Sequence, residues 1–294
     1  MDPVAASAPS AFHSRSLSRE GNREFRESTV RALAGDKIFS ITLPSPDDFV
    51  LPGIRWGRPD ELLTPAFWRA QVWFASLDAI APSYALGATL AEELTACLLA
   101  GYGIPAEVGL AAYQRLRVSG VLGEGLPSVS TLLSLLAEPL QLGERRVRYR
   151  FAAQKSRYLA ASLRHIALTP PPLHSGRGFR DALLACPGIG LKTASWIARN
   201  FLGSNDVAII DVHVARAGMA VGLFQPSDAP HRNYLAMESR FLTFAAALGV
   251  PPSSLDTVIW REMRLAGPVA RAFPYAPGHP ASCSLAKNGS PQFS

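Results

Sequence analysis

Cysteine, lysine and long apolar runs are what this 294-residue sequence has least of. Its three cysteines, Cys97, Cys186 and Cys283, lie far apart. That excludes a disulfide framework, a Cys-x-x-Cys zinc site and a four-cysteine iron–sulfur cluster. The most apolar stretches fall short of the roughly 20 residues a membrane span needs: Leu94–Tyr113 is interrupted by Pro105 and Glu107, and Val129–Leu140 is too short. No continuous apolar signal core opens the chain, and Glu20, Glu24 and Glu27 argue against a transit peptide. A reducing, bacterial-type cytoplasm is the expected compartment. Charged residues make up only 18% against 48% hydrophobic, which excludes a largely disordered chain and allows one large domain or two packed ones.

Only four of the 29 basic residues are lysines: Lys37, Lys155, Lys192 and Lys287. A bias to Arg and Ala often follows base composition of the genome and is not functional by itself. Position is more informative than number. Seven basic side chains (Arg145, Arg146, Arg148, Arg150, Lys155, Arg157, Arg164) and one acid fall within Glu144–Arg164, accounting for the whole formal charge of +6. A neutral body with one basic strip predicts a polyanionic partner at one place, or else a solvated arginine face.

Residues 1–35 lack a sustained period and read as a disordered tail, as do residues 276–294. Between them, Ile38–Leu43 predicts a short strand within an N-terminal segment, 36–88, that packs on a helical core. Helical patterns follow over Pro65–Ala79, Thr89–Ala100, Ala106–Arg117, Ser128–Ala137 and Ala152–Ile166. Beyond Pro170-Pro171-Pro172 they resume over Gly178–Cys186, Lys192–Leu202, Val212–Val221, Asn233–Leu248 and Leu255–Leu265. The fold class is mostly α.

The sharpest local feature is Cys186-Pro187-Gly188-Ile189-Gly190-Leu191-Lys192. Proline disfavours helix in the residue before it, so one helix should stop there. Gly188 and Gly190 permit a tight turn at positive φ, Ile189 should pin it inward, and a second helix starts near Leu191. Free amides at that helix start make a ready phosphate site. An ordinary helix–turn–helix connection would look the same up to this point. Lys192, however, sits in a first helical turn, where the dipole disfavours a cation. Nineteen residues on comes Ile209-Ile210-Asp211-Val212-His213, an apolar run ending in a carboxylate that opens a helix. Asp211 can be a plain N-cap, but a lysine and a carboxylate placed this way also suit nucleophilic catalysis.

The run from Leu183 to Val214 resembles the helix-hairpin-helix signature of base-excision DNA glycosylases. Gly-Ile-Gly-Leu-Lys and Ile-Asp-Val-His are most similar to the 8-oxoguanine DNA glycosylase branch, and Gln154–Ser162 is similar to the helix before the hairpin there. The resemblance covers roughly Thr89–Gly267. It implies two helical subdomains flanking a DNA-binding cleft, within a glycosylase domain over 89–275 (hairpin 183–203, aspartate region 207–221). It implies, too, a monomer acting on double-stranded DNA with a modified base, without metal or cofactor. Lys192 would attack the sugar C1′ and form a Schiff base, giving base removal and strand nicking. Asp211 would stabilise the cationic sugar and orient or deprotonate the amine. Gly188 and Gly190 would bind phosphate, and His213 would contact a phosphate near the lesion. Arg145 and Arg157 on the basic strip would grip the DNA backbone.

Chemistry of this kind requires the target nucleotide to leave the stack, so a pocket must offer aromatic faces and a polar edge reader. Trp196, one turn after Lys192, stands where the branch has a smaller residue; it either stacks on the extruded base, narrows the pocket or is simple core. Leu255–Trp260 resembles the terminal helix that reads the base, with Asp256 and Trp260 at i and i+4. Tyr102 is the candidate wedge that fills the gap after flipping. 8-Oxoguanine is the implied target. The departure at Trp196 leaves open a bulky modified base in foreign DNA, removed as a defence. Two other classes compete: a non-catalytic hairpin that only grips DNA, which does not require Asp211, and a structural helical protein, which predicts no salt-dependent DNA binding.

Overall fold

The computed structural model describes residues 28–77, 84–101, 103–123 and 125–267. An antiparallel hairpin, β1 (Ser28–Ala34) and β2 (Lys37–Leu43), is followed by a second short pair, β3 (Phe49–Leu51) and β4 (Ile54–Arg55). Four helices come next: α1 (Pro65–Ser76), α2 (Leu90–Leu99), α3 (Ala106–Val118) and α4 (Val129–Ala137). A third hairpin, β5 (Leu140–Leu142) and β6 (Arg145–Val147), leads into α5 (Ala152–Leu168). The described part of the chain finishes with α6 (Gly176–Leu183), α7 (Leu191–Leu202), α8 (Val212–Ala220), α9 (Pro230–Leu248) and α10 (Pro252–Ala266). The mostly helical class is as expected.

Side-chain caps start many of these helices. Thr64, Thr89, Ser128 and Ser175 each accept a hydrogen bond from the amide three residues on, at α1, α2, α4 and α6. The strand β1 corrects the expectation of a tail reaching residue 35. Val30 pairs with Ile41 and both pack on the core, while Thr29 and Arg31 face outward. With Ser, Thr, Arg and Ala filling most positions, β1 has too little apolar alternation to stand out. Its partner strand fixes it.

Two hydrophobic cores divide the molecule. The first unites the ends of the described chain: Leu43, Ile54, Trp56, Trp68 and Val72 interlock with Val214, Phe241, Phe244, Leu255 and Val258. The N-terminal segment is therefore one half of a subdomain whose other half is α8–α10, with α1 lying against α10. Burying an aromatic such as Trp68, 1% exposed, contributes roughly 2–3 kcal/mol. A second core is built from α2–α7, with Leu94, Tyr113, Leu132, Leu159, Phe179 and Ile197 among its members. Helix α7 belongs to both, since Leu191 packs on the first core while Ala194, Ile197 and Ala198 lie in the second. Its N-terminus consequently sits at the junction of the two subdomains.

Candidate active site

The hairpin between α6 and α7 is fixed from below. Ile189, 6% exposed, is buried in the second core, and Ser162 on α5 donates to the Pro187 carbonyl at 3.4 Å. Gly188 adopts φ +78°, and a Cβ there would lie 2.3 Å from the Tyr158 ring, so both backbone angle and packing demand glycine. Gly190 departs from the expected positive φ: at φ −102° and ψ 178° it is the extended N-cap of α7. No side chain caps this helix, and a Cβ on Gly190 would meet nothing within 4 Å. The amides of the first turn of α7 are thus without a side-chain cap among the described residues, and an uncapped helix start suits a phosphate.

Lys192 is the second residue of α7 and half-buried at the subdomain junction. It is close enough to Cys97 on α2 for its charge to favour that buried thiol's ionised form, against the stronger effect of burial. Asp211 is the N-cap of α8 and 7% exposed; its Oδ1 accepts from the His213 amide at 2.8 Å and the Val214 amide at 2.9 Å. Both bonds fall on one oxygen. Among the described residues Oδ2 has no hydrogen-bond partner, so Asp211 caps a helix and still keeps a carboxylate oxygen for other work. The plain-cap and catalytic readings of Asp211 are compatible.

Among the described residues the extended segment leading to Asp211 has no sheet partner. Side chains of α9 and α10 take that place. The Ala208 amide donates to Glu238 Oε1 at 3.0 Å, the Ile209 amide to Asp256 Oδ2 at 3.3 Å, and the Ile210 amide to the Tyr234 hydroxyl at 3.1 Å. The Tyr234 hydroxyl in turn donates to the Ala208 carbonyl at 2.7 Å. Glu238 Oε1 also accepts from Ser195 Oγ on α7 at 3.3 Å. Residues three beyond Lys192 and three before Asp211 therefore meet on one carboxylate oxygen, which brings the two arms of the site together.

The sequence profile described as 8-oxoguanine DNA glycosylase, helix-hairpin-helix type, matches residues 88–250. The chain belongs to the 8-oxoguanine DNA glycosylase family. An 8-oxoguanine DNA glycosylase/AP lyase from Metallosphaera sedula is 34% identical over 118 residues, spanning 38% of this chain and 57% of that protein. One of the same name from Thermoplasma volcanium is 30% identical over 175 residues, spanning 58% of this chain and 78% of the relative. The crystal structure of the Thermotoga maritima 8-oxoguanine DNA glycosylase covers 60% of this chain and 79% of its own, at 25% identity and a TM-score of 0.47.

Within this family member, the other expected site residues fall into distinct settings. His213 is half-buried beside Asp211, and its Nδ1 is enclosed without a partner. Arg145 and Arg157 are exposed and form no ion pair among the described residues. Lys155 leaves the basic strip: its Nζ donates to the Leu98 carbonyl at 2.7 Å, satisfying the end of α2, and burial lowers its pKa. Trp196 is half-buried against the second core. Trp260 is 39% exposed, with the Arg264 guanidinium 5.0 Å from its ring centroid. Tyr102 lies outside the described residues.

Asp256 is a correction. Expected at a base edge, it is 2% exposed, and both oxygens are engaged: Oδ1 accepts from Arg199 Nη1 at 2.7 Å and Oδ2 from the Ile209 amide. An i, i+4 spacing with Trp260 does not force a shared exposure, because a buried arginine on another helix pulls the carboxylate inward. Sequence reasoning missed the partners. Arg199, Asn200 and Glu93 form a buried chain in which Arg199 Nε donates to Asn200 Oδ1 at 3.0 Å and Asn200 Nδ2 to Glu93 Oε1 at 2.6 Å. The only available signal was polar residues at core positions of helical patterns, which is too common to act on.

Proposed function

We propose that this protein is a DNA glycosylase with associated abasic-site lyase activity, using Lys192 as nucleophile and Asp211 as its acid–base partner. One observation carries the reading: Asp211 caps α8 through Oδ1 alone, while its arm and the helix start bearing Lys192 are held together through Glu238. A hairpin that only grips DNA has no use for that second carboxylate oxygen or for a tie between the arm of Asp211 and the helix that bears Lys192.

The Lys192 ammonium gives a proton to Asp211 Oδ2. The amine then bonds to C1′ as the glycosidic C–N bond breaks, and the base leaves with the electron pair and takes the proton held on Asp211 Oδ2. Once that proton has passed to the departing base, the Asp211 carboxylate supports the positive charge left on the nitrogen at C1′. Asp211 carries a proton from the C1′ ammonium to O4′ as the C1′–O4′ bond breaks, giving the iminium; it then takes a C2′ proton while the C3′–O bond breaks and the phosphate leaves with the electron pair, which nicks the strand. Uncapped amides at Gly190–Thr193 receive a backbone phosphate, and the exposed Arg145 and Arg157 hold the flanking duplex. His213 presents Nε2 to a phosphate, its Nδ1 being enclosed. Trp260, with an aromatic face still accessible, is the stacking surface for an extruded base; Trp196 bounds the pocket from α7. 8-Oxoguanine is the leading substrate, by the family.

Borohydride trapping on a panel of duplexes, each with one modified base and including both 8-oxoguanine and a bulky adduct, tests this. The expected result is a covalent adduct with the wild type on one lesion and none with Lys192→Gln. An adduct that survives Lys192→Gln, or a panel that yields no abasic site at all, would overturn the proposal.

A further inference from the structure

The reaction just proposed uses two groups on different elements, and something must hold them in register. Lys192 is on α7, whose C-terminal half is embedded in the second core; Asp211 opens α8, which belongs to the first. Helices that belong to two cores can slide, because apolar packing is non-directional. Hydrogen-bonded charges do not slide in this way.

We infer that the buried carboxylates of Asp256 and Glu238 are positioning residues, each tying the Lys192 helix to the Asp211 arm, Asp256 with its two oxygens and Glu238 with one. The inference rests on the Lys192–Asp211 reading. Asp256, on α10, accepts from Arg199 with Oδ1 and from the Ile209 amide with Oδ2. Arg199 follows Lys192 by seven residues, two helical turns on the same face, and Ile209 precedes Asp211 by two. Glu238, on α9, takes Ser195 Oγ and the Ala208 amide on Oε1 and pairs with Arg180 of α6 through Oε2.

Two features distinguish these clamps from ordinary core ion pairs. First, both carboxylates act on consecutive amides, 208 and 209, of one unpaired segment, which a purely apolar core could not orient. Second, the Asp256 clamp continues to the α2 side: Arg199, Asn200 and Glu93 link in sequence, and Glu93 Oε2 accepts from the Leu86 and Gly87 amides at 2.6 and 2.9 Å. Cys97 donates to Glu93 Oε1 at 3.4 Å, and it is this thiol that feels the Lys192 charge. The network thus runs from beneath Lys192 to the segment that carries Asp211. A buried pair gives little net stability over apolar packing, so its use here is orientation.

Presteady-state trapping on a duplex with a preformed abasic site separates positioning from folding. The amplitude counts folded protein; the rate constant reports the geometry of Lys192. For Asp256→Asn and for Glu238→Gln we expect the rate constant to fall at least tenfold, with amplitude and duplex affinity within about threefold of wild type. A rate constant equal to wild type, whatever the amplitude, overturns the inference. Should either variant not fold, Thr257→Val replaces it: Thr257 Oγ1 accepts from Arg199 Nη1 at 2.6 Å, and its loss is expected to slow trapping about threefold. An unchanged rate in Thr257→Val overturns the inference equally. Absence of any adduct with the wild type would instead sink the Lys192 reading, and this inference with it.

Discussion

Gly188 and Gly190 stand two residues apart and are glycine for opposite reasons. Gly188 is filled from inside, with positive φ and the Tyr158 ring against it; Gly190 has ordinary angles and empty space in front. Substitution should therefore separate folding from binding. Gly188→Ala is expected to cost about 1–3 kcal/mol in urea unfolding, from backbone strain and displacement of Tyr158. Gly190→Ser should leave stability unchanged or raised by a few tenths of a kcal/mol, since serine is a good N-cap at these angles. Its side chain would occupy the phosphate's approach, so fluorescence anisotropy with any duplex should show affinity reduced roughly tenfold, about 1.4 kcal/mol. Equal affinity in Gly190→Ser would show that phosphate does not use the α7 amides. The hairpin was legible in the sequence because Pro187 and both glycines act locally. The distinction between the two glycines was not, because Tyr158 reaches Gly188 from thirty residues upstream.

On the scale of elements, α10 carries a carboxylate whose environment opposes its charge. Burial pushes Asp256 up from the ordinary 3.8 to about 6, even though Arg199, the Ile209 amide and Thr257 all favour the ionised form. The groups facing it are Arg199 from α7 and the buried Tyr234 from α9. A carboxyl that binds its proton more tightly folded than unfolded makes the native state gain stability as pH falls through 6 towards 4 and lose it as pH rises. The difference amounts to roughly 3 kcal/mol. Urea unfolding of wild type and Asp256→Asn at pH 4.5 and pH 7.5 checks this, because the asparagine variant lacks that titration. Wild-type stability relative to the variant should be greater at the acid end; a difference that is flat or grows with pH would show that Asp256 titrates normally. The helices themselves were mostly legible from periodicity and from caps such as Thr89 and Asp211. The strands β1, β5 and β6 were not: Gln141, Arg145 and Arg146 alternate with too few apolar residues, and pairing across a Gly143 turn, not composition, makes them strands. The exposure of Asp256 was misjudged because its partner, Arg199, is remote in sequence.

For the whole molecule, the first core gives the N-terminal segment a packing role: Trp56 and Trp68 lie in one cluster with side chains of α8–α10. What remains on the surface is the arginine strip. On α5 the exposed positions Gln154, Arg157, Ala161 and Arg164 recur at helical spacing along one face, while Ser156, Leu159 and Leu163 are buried. Tyr158 and Ser162, against the hairpin at Gly188 and Pro187, set this face beside the proposed phosphate site. Arg145, Arg146, Arg148 and Arg150 extend it through β6 and are likewise exposed. The span from Arg164 back to Ala152, the start of α5, is about 18 Å at 1.5 Å per residue, or about five base pairs of duplex at 3.4 Å each. Such a track reads charge spacing and no base edges, so it should add affinity without selectivity. Arg157→Ala and Arg145→Ala are each expected to weaken lesion and undamaged duplexes by the same factor and to lower the slope of log K against log salt by about one. Titrations at several salt concentrations decide this. A variant that changes the lesion-to-undamaged ratio while keeping the salt slope would place that arginine at the base pocket and remove it from the track.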